Sequence, residues 1–338
     1  MTTMRPRLAE IADKAHVSEA TVSRVLNAKP GVANSTRRKV LDVLADMGYE
    51  DVHRQHTGSG AIGIVTPELT NPFFPHLAQH IESVLAHHGY ISLVCSSTAE
   101  TVHEQDFLDF LAGQHASGVV VINGRYALPG VGYGPYEALA ARGVPVVLVN
   151  GFQGTPPLPA VGVRIADAAS DAVEHLGALG HRRIGLVVGP TRYPTAGDFV
   201  AGYRSALASM GIDFDPTLVS ETPWTLEGGQ AAAAPLLENG VTGIVCSNDL
   251  MAEGEVAAAQ AWGASIPDDI SVIGFDGSPL AGFTDPPLTT LRQPVASMAT
   301  AVASLLVGDH RNNASVPVQR FKAELVVGKS TGRPKAPA

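Results

Sequence analysis

Several polar side chains of this chain lie where short apolar runs end, a position from which they can reach a ligand. Asp276 ends the run DISVIGFD, and Asn248 and Asp249 follow the run TGIVCS. Both runs have the length and composition of buried strands. Carboxylates at strand ends are candidates for catalysis, but no nucleophile or base accompanies either aspartate in the sequence. The pattern therefore favours binding, with enzymatic activity as a less favoured alternative.

Enzyme and cofactor motifs give no further support for catalysis. The sequence contains no G-x-S-x-G, no Walker loop and no H-E-x-x-H. Gly58, Gly60 and Gly63 fit G-x-G-x-x-G, but the motif begins before a predicted strand and runs into it, whereas a dinucleotide site requires the motif to follow a strand. His76 and His80 are four residues apart without further ligands at metal-binding spacing. We therefore expect no cofactor and no metal.

A sugar-like ligand fits the candidate side chains best. Sugar hydroxyls bind carboxylates and amides, and the C–H face of a sugar packs on an aromatic ring, as Trp224, Phe73, Asn248, Asp276 and Gln293 allow. The alternative is that Trp224 fills a core and Asp276 caps a loop. The full candidate set is Asn71, Phe73, Phe74, Arg125, Asn150, Arg192, Phe199, Trp224, Asn248, Asp249, Asp276 and Gln293.

Alternating strands and helices would position these residues. Strands are predicted at 62–65, 91–95, 118–122, 144–150, 183–189, 217–221, 242–247 and 269–276. Helices are predicted around 74–88, 102–113, 135–142, 166–178, 197–210, 226–238 and 250–261. Continuous apolar strands separated by helices indicate parallel sheets covered on both faces, so the fold class is α/β with two Rossmann-like lobes. Such sheets bind ligands at the carboxyl ends of their strands, which here would form one cleft between the lobes.

Composition limits the class of protein and its compartment. The chain has 338 residues, of which 45% are hydrophobic and 16% charged, which excludes a disulfide miniprotein and wholesale disorder. No apolar run approaches the length of a membrane span, and charges at the N-terminus exclude a signal peptide. Cys95 and Cys246 both lie in apolar runs. Two buried thiols fit a reducing compartment, and we expect a cytoplasmic protein that makes no contact with a membrane.

Positive charge is concentrated at the N-terminus. The whole chain carries −9, whereas residues 1–40 carry a surplus of five positive charges and the remainder carries −14. A polyanion would therefore be attracted only by the N-terminal segment. An ordinary solvated helix face is the alternative on charge alone.

The N-terminal segment has the pattern of a helix-turn-helix. Apolar spacing predicts a first helix from Leu8, a second from Glu19 to Asn27 after a Ser18 N-cap, and a third from Thr36 to Met47 after Ser35. The second helix of such a unit enters the major groove of DNA. An arbitrary three-helix cap is the alternative.

The segment LAEIADKAHVSEATVSRVLNAKPGVANSTRRKVLDVLADMGY resembles the head of lactose-repressor-type (LacI-family) transcription regulators over about 42 residues. The resemblance implies that Glu19, Ala20 and Arg24 contact bases, and that a second set contacts phosphates. That set is Ser18, Thr21, Ser23, Asn27 and Thr36. The partner would be a pseudo-palindromic double-stranded operator.

The hinge departs from the family pattern. Relatives carry a Pro-Asn pair, an Ala-Arg pair and a leucine that wedges into the minor groove, whereas this chain has EDVHRQHTGSG and is about four residues shorter. Val52 is the single branched aliphatic residue between Tyr49 and Ala61, and Arg54 could reach a phosphate. A second reading is therefore a sugar sensor with weakened DNA specificity.

The body resembles the same family through GIVTPELTNPFF, GHRRIGLVVGP, SNDLMAEG and ISVIGFDGSPLAGF. The resemblance implies a periplasmic-binding-protein architecture in which ligand closure alters DNA binding, as in a repressor controlled by an effector. It gives a head at 1–49, a hinge at 50–60 and a body at 61–338. Within the body it gives an N-lobe at about 61–150 and 278–293 and a C-lobe at about 151–277 and 294–330.

Details of the resemblance bear on ligand and assembly. Phe199 replaces the arginine with which relatives hold their ligand, and Arg192 or Arg125 is expected to substitute for it. TPELTNPFFP and TLEGGQAAA resemble an actinobacterial subgroup with maltose-type regulators, which implies maltose or a maltodextrin. Because one short head contacts few bases, a homodimer is expected, and the tail KSTGRPKAPA lacks the heptads of tetrameric relatives.

Overall fold

The computed structural model describes residues 8–26, 32–33, 35–36, 39–40, 43, 60–97, 103–308 and 316–335. The chain divides into two compact units. Met1–Gly60 with His88–Tyr90 forms the first, and Ala61–His87 with Ile91–Ala338 forms the second. We call the helical part of the first unit the head and the second unit the body, and each is described by itself.

The head is built on two short helices, α1 (Leu8–Ala15) and α2 (Glu19–Leu26). The Ser18 hydroxyl accepts a hydrogen bond from the Thr21 backbone N–H at 3.2 Å, as expected for an N-cap. Further helical residues are described at 35–36, 39–40 and 43, so Ser35 lies within the third helix instead of capping it. A small apolar core joins the three, formed by Ile11, Ala12, Ala15, Val22, Val25 and Val40.

The body contains two six-stranded sheets, each the centre of one lobe. The first sheet holds β1 (Ala61–Thr66), β2 (Ile91–Ser96), β3 (Gly118–Ile122), β4 (Val146–Val149), β5 (Ala160–Val163) and β11 (Val318–Phe321), in the order β11-β5-β4-β3-β1-β2. The second holds β6 (Ile184–Val188), β7 (Val219–Glu221), β8 (Gly243–Cys246), β9 (Ser271–Asp276), β10 (Thr289–Arg292) and β12 (Glu324–Val326), in the order β12-β10-β9-β8-β6-β7. All neighbours pair in parallel except β10 and β12.

Helices cover both faces of each sheet. Those of lobe 1 are α3 (Phe73–His87), α4 (Glu104–Gly113), α5 (Gly134–Ala141) and α10 (Val295–Val307). Those of lobe 2 are α6 (Ile165–Leu179), α7 (Pro194–Ser209), α8 (Leu226–Glu238) and α9 (Asp249–Ala261). The central strands are fully buried, because helices pack on both sides of them. The predicted α/β architecture of two Rossmann-like lobes is confirmed.

The expected lobe boundaries, 61–150 with 278–293 and 151–277 with 294–330, need correction. The chain passes between the lobes three times, after β5, β10 and β11. Strand β5 and helix α10 therefore belong to lobe 1, while β10 belongs to lobe 2. The boundaries were misplaced because β5, β10 and β11 were not recognised as strands. None of the described helices is long and apolar enough to cross a membrane.

Glu255 on α9 is a buried carboxyl group in the core of lobe 2. It is fully shielded from solvent, and neither carboxyl oxygen has a hydrogen-bond partner among the described residues. Burial raises the pKa of Glu255 to about 8. The protein therefore carries this group in its neutral form at neutral pH.

The Glu255→Gln variant should remove a pH-dependent loss of stability. Between pH 4.5 and about 8 the unfolded chain has lost the Glu255 proton and the folded chain keeps it, so the free energy of unfolding falls as pH rises. We expect the variant to gain roughly 2–4 kcal/mol relative to wild type between pH 5 and pH 8 in urea unfolding. Glu238→Gln, at an exposed position of α8, is the control. Parallel pH profiles for wild type and Glu255→Gln would contradict the prediction.

Candidate functional site

A cavity of about 480 Å³ lies between the carboxyl ends of the two sheets, and we call it the main cavity. Ten of the twelve residues predicted to bind a ligand line it: Asn71, Phe73, Phe74, Arg125, Asn150, Phe199, Trp224, Asn248, Asp276 and Gln293. Its wall also contains residues that were not predicted, among them Ser97, His103, Glu104, Asn123, Tyr193, Thr195, Ser247 and Phe275. The rule that ligands bind at the carboxyl ends of parallel strands thus locates the cavity.

A chain of hydrogen bonds in the cavity wall connects the lobes. Asn150, which follows β4 in lobe 1, donates from Nδ2 to Gln293 Oε1 at 3.1 Å. Gln293, which follows β10, donates from Nε2 to Asp276 Oδ1 at 2.8 Å. Asn71 of lobe 1 also donates to the Asp276 carboxyl group. Asp276 of lobe 2 therefore accepts hydrogen bonds from Asn71 of lobe 1 and from Gln293, which is itself bonded to Asn150 of lobe 1. The position of Asp276 thus depends on how the two lobes are arranged.

Three residues that line the main cavity at strand ends have an unusual backbone conformation. Asn123, Asn150 and Asp276 have φ values of 46°, 55° and 112°. Positive φ is uncommon for residues with a side chain, although asparagine tolerates it better than most. Such conformations concentrate at ligand sites, where surrounding structure maintains them. Asn123 follows β3 as Asn150 follows β4, so the same strand-end rule could have identified it.

The Asp276 carboxyl group lies in an environment that disfavours its charge. Burial raises the pKa of Asp276 well above its usual value, and the nearby carboxylates Asp249 and Glu68 raise it further. The hydrogen bonds from Gln293 and Asn71 act in the opposite direction. A ligand hydroxyl that donates to this group would reduce the cost of burying it.

Aromatic residues form the lobe 2 wall of the main cavity. Trp224 donates from its indole N–H to the Ser247 hydroxyl at 3.2 Å, and its ring meets that of Tyr193 edge to face at 5.0 Å between centroids. Phe199 of α7 packs against Phe275 at 5.1 Å. This wall offers apolar faces for the C–H surface of a ring-shaped ligand.

A buried acid on the lobe 1 side had no sequence signal. Glu104, at the start of α4, is 5% exposed and accepts hydrogen bonds from the Tyr136 hydroxyl and from the Arg125 backbone N–H, the latter at 3.0 Å. Burial raises the pKa of Glu104, while these hydrogen bonds and the Arg125 charge lower it. Glu104 thus fixes the segment that presents the exposed Arg125 side chain at the cavity rim.

Two predicted ligand residues, Arg192 and Asp249, do not line the main cavity. Arg192 is exposed, and its guanidinium lies 5.1 Å from the centroid of the Tyr193 ring. Tyr193, and not Arg192, forms the cavity wall at this point. Asp249 is buried behind the wall, where it accepts hydrogen bonds at 2.6 Å from Ser278 N–H and from the Thr290 hydroxyl. Its carboxyl group holds the loop after β9 and strand β10 in place. Asp249 is therefore a positioning residue for Asp276 and Gln293.

The structure describes seven of the ten predicted DNA-contacting residues, all of them in the head. Glu19, Ala20 and Arg24 lie on the exposed side of α2, opposite the buried Val22 and Val25. Ser18 is exposed in the turn before α2, and Thr21, Ser23 and Thr36 are half-buried. Asn27, Val52 and Arg54 lie outside the described residues. The base-contacting set predicted from the sequence therefore shares one accessible helix face.

Gly189, which follows β6, gives the Trp224 ring its space, because a Cβ at this position would overlap the indole. The Gly189→Ala variant should displace the ring and break its bond to Ser247. With Trp262 replaced by Phe, Trp224 is the remaining tryptophan, and we expect its emission to shift to longer wavelength. Gly197→Ala on α7, where a Cβ meets no neighbour within 4 Å, is the matched control. Identical spectra for Gly189→Ala and its parent would contradict the prediction.

Known proteins match the chain over nearly its full length. The family model for bacterial regulatory proteins of the lacI family matches residues 7–51, and that for a periplasmic binding protein-like domain matches residues 173–331. An uncharacterised HTH-type transcriptional regulator in the aml 5' region of Streptomyces limosus is 45% identical, over 97% of this chain and 95% of that protein. The HTH-type transcriptional regulator MalR of Streptomyces coelicolor is 42% identical, over 97% of each.

Solved structures agree with these relatives. A complex of the transcriptional regulator CelR with cellobiose has a TM-score of 0.72 at 27% identity, and the match covers 96% of this chain and all of that one. The lac repressor dimer bound to operator and the anti-inducer ONPF has a TM-score of 0.71 at 27% identity, over 97% and 100% of the two chains.

Proposed function

This chain belongs to the lacI family of bacterial regulatory proteins, and we propose that it represses transcription by binding a pseudo-palindromic operator under the control of a sugar effector. One observation carries the proposal: an exposed α2 face bearing Glu19, Ala20 and Arg24 occurs in the same chain as a cavity lined by aromatic rings, amides and a carboxyl group. A regulator of transcription acts on the chromosome, so we place it in the bacterial cytoplasm.

The main cavity supports a sugar as the ligand. Trp224, Tyr193 and Phe199 provide apolar ring faces, while Asp276 and Gln293 provide an acceptor and a donor for hydroxyls. A gluco-oligosaccharide such as maltose or a maltodextrin is our specific proposal. The cellobiose bound by the structural neighbour CelR supports a gluco-oligosaccharide as the class of ligand. We further infer that the ligand is bound without being transformed, because the related proteins are regulators.

The mechanism we propose uses the two lobes. Ligand contacts with Asp276 and Gln293 from lobe 2 and with Asn71 and Asn150 from lobe 1 would favour one lobe arrangement over another. A ligand shifts such an equilibrium only by its difference in affinity between the two states. In a dimer, that shift would change the spacing of the paired heads, and with it the affinity for two operator half-sites.

The experiment that tests this function is an anisotropy titration of labelled DNA at two salt concentrations. An operator is first selected from a palindromic pool and then compared with random DNA, with and without glucose, maltose, maltotriose, cellobiose and ribose. We expect one sequence to bind far more tightly than random DNA and one sugar to change that affinity. Uniform, salt-sensitive binding would instead support a sensor with weakened DNA specificity, the reading that the hinge at 50–60 suggests.

We propose a homodimer formed through exposed apolar residues of the body. Ile91, Leu93 and Val94 are exposed on the edge strand β2, and Phe283 is 86% exposed after β9. Edge strands and apolar patches of this kind are usually covered by a partner. We expect sedimentation at micromolar concentration to show dimers for wild type and for Phe110→Glu on α4, and monomers for Val94→Glu. A monomeric wild-type protein would contradict this assignment.

A further inference from the structure

A second cavity, of about 400 Å³, adjoins the main cavity, and we call it the side cavity. Four residues, Asn150, Gly151, Ile165 and Thr195, line both cavities. The side cavity is closed on the lobe 1 side by the loop after β4 and by β11, and on the lobe 2 side by the start of α7. A ligand bound in the main cavity thus has a polar space beside it into which it can extend.

Opposite charges face each other across the side cavity. Arg320 of β11 is exposed on the lobe 1 side, and Asp198 of α7 is exposed on the lobe 2 side. The two charges interact, but the Arg320 nitrogens and the Asp198 oxygens are more than 4.0 Å apart and form no ion pair. Partial burial of the Asp198 carboxyl group raises its pKa, and the Arg320 charge lowers it. Both side chains line the side cavity, so a ligand group in that cavity can contact them.

The Arg320 side chain is fixed by its neighbours. Its guanidinium lies 5.1 Å from the centroid of the Phe152 ring and donates a hydrogen bond to the Gly154 carbonyl oxygen. Phe152 in turn lies close over Gly162 of β5, where a Cβ would come within 2.9 Å of the ring. A guanidinium has five N–H donors, so Arg320 keeps donors for a ligand after these contacts. Its orientation is thus set before any ligand binds.

The hydrogen-bond donors and acceptors that line the side cavity indicate which kind of ligand group can bind there. Asp198 opposes an anion and Arg320 opposes a cation, so neither kind of ion is favoured there. A neutral polyhydroxylated group satisfies both, because hydroxyls donate to the carboxylate and accept from the guanidinium. The amides of Asn150 and Gln153 and the Thr195 hydroxyl add further partners. One additional sugar unit has this chemistry.

We propose that the effector is an oligosaccharide that spans both cavities, with a further sugar unit in the side cavity hydrogen-bonded by Asp198 and Arg320. The inference rests on the proposed function, because it assumes that a sugar occupies the main cavity. On this proposal Asp198 and Arg320 determine which length of oligosaccharide binds most tightly. Sugars that fill the main cavity alone are then expected to bind without contacting Asp198 or Arg320.

The test is a calorimetric titration of the full-length protein with glucose, maltose, maltotriose, maltotetraose, cellobiose and cellotriose. Wild type is compared with Asp198→Asn, Arg320→Gln and the control Asp213→Asn, an exposed aspartate of lobe 2 that does not line either cavity. We expect wild type to bind a longer member of one series most tightly. Each variant should lose about tenfold in affinity for that sugar, while its affinity for the shortest sugar that binds stays within about twofold.

Two results would overturn the inference and leave the proposed function standing. If both variants weaken every sugar by the same factor, the pair acts through lobe closure and does not contact the added unit. If neither variant changes any affinity, the side cavity is not part of the site. If no sugar binds the wild-type protein, the inference and the sugar part of the proposed function fail together. Thermal unfolding midpoints of the variants within about 2 °C of wild type exclude a folding defect.

Discussion

Replacing Arg24 with alanine is expected to abolish the preference of this protein for its operator over random DNA. Arg24 projects from the exposed side of α2, and the apolar side of that helix is anchored by Val22 and Val25. An arginine that donates two hydrogen bonds to a guanine contributes about 1–3 kcal/mol of discrimination, or roughly 5- to 150-fold per half-site. In a dimer both half-sites lose this contact. Competition titrations of the selected operator against random DNA measure the effect.

Lys14→Ala is the control for Arg24, because it removes one exposed positive charge from α1 without touching the α2 face. A lost phosphate contact or general charge weakens binding to all sequences about equally and reduces its salt dependence. We therefore expect Lys14→Ala to lower operator and random binding by the same modest factor. If Arg24→Ala behaves in the same way, Arg24 contributes charge and does not read bases.

The candidate site was predictable where one rule sufficed and was missed where several elements cooperate. Asn150 and Asp276 were found because each ends a recognisable apolar strand. Arg192 does not line the main cavity, because the next residue of the loop after β6, Tyr193, forms the wall there. Glu104 had no signal, since its burial depends on Tyr136, 32 residues further along the chain. Contacts of that kind are fixed by tertiary packing, which local patterns do not encode.

The strands of the fold were likewise predictable where the sequence is continuously apolar and were missed where it is polar. Eight segments were recognised as strands, most of them from continuous hydrophobicity, which marks strands buried on both faces. The strand Val318–Phe321 contains Gln319 and Arg320, and Thr289–Arg292 contains two threonines and an arginine, so neither forms an apolar run. These strands join the sheets through pairing with distant strands, β11 with β5 and β10 with β9. The lobe boundaries depended on them and were therefore misplaced.

Asp276→Ala is expected to abolish the response to the effector while leaving operator binding intact. The Asp276 carboxyl group is the point at which Gln293 and Asn71 meet, and it faces the main cavity. Removing it eliminates an acceptor for a ligand hydroxyl and leaves two buried amide donors without their partner, at a cost of about 1–3 kcal/mol for each unsatisfied donor. We expect sugar affinity to fall by about 100-fold or more. Calorimetry measures that loss, and anisotropy measures operator affinity without sugar, which should stay within about twofold.

The structural reason for this separation is that Asp276 lies in the body, whereas the residues expected to contact DNA lie in the first unit. Asp276→Asn keeps the size of the side chain and one carbonyl acceptor, so its loss of sugar affinity should be smaller than that of alanine. Asp213→Ala, at an exposed site of lobe 2, should change neither measurement. The opposite pattern, loss of operator binding with an unchanged sugar affinity, would mean that Asp276 supports the dimer or the heads, and the main cavity would no longer be assigned to the effector.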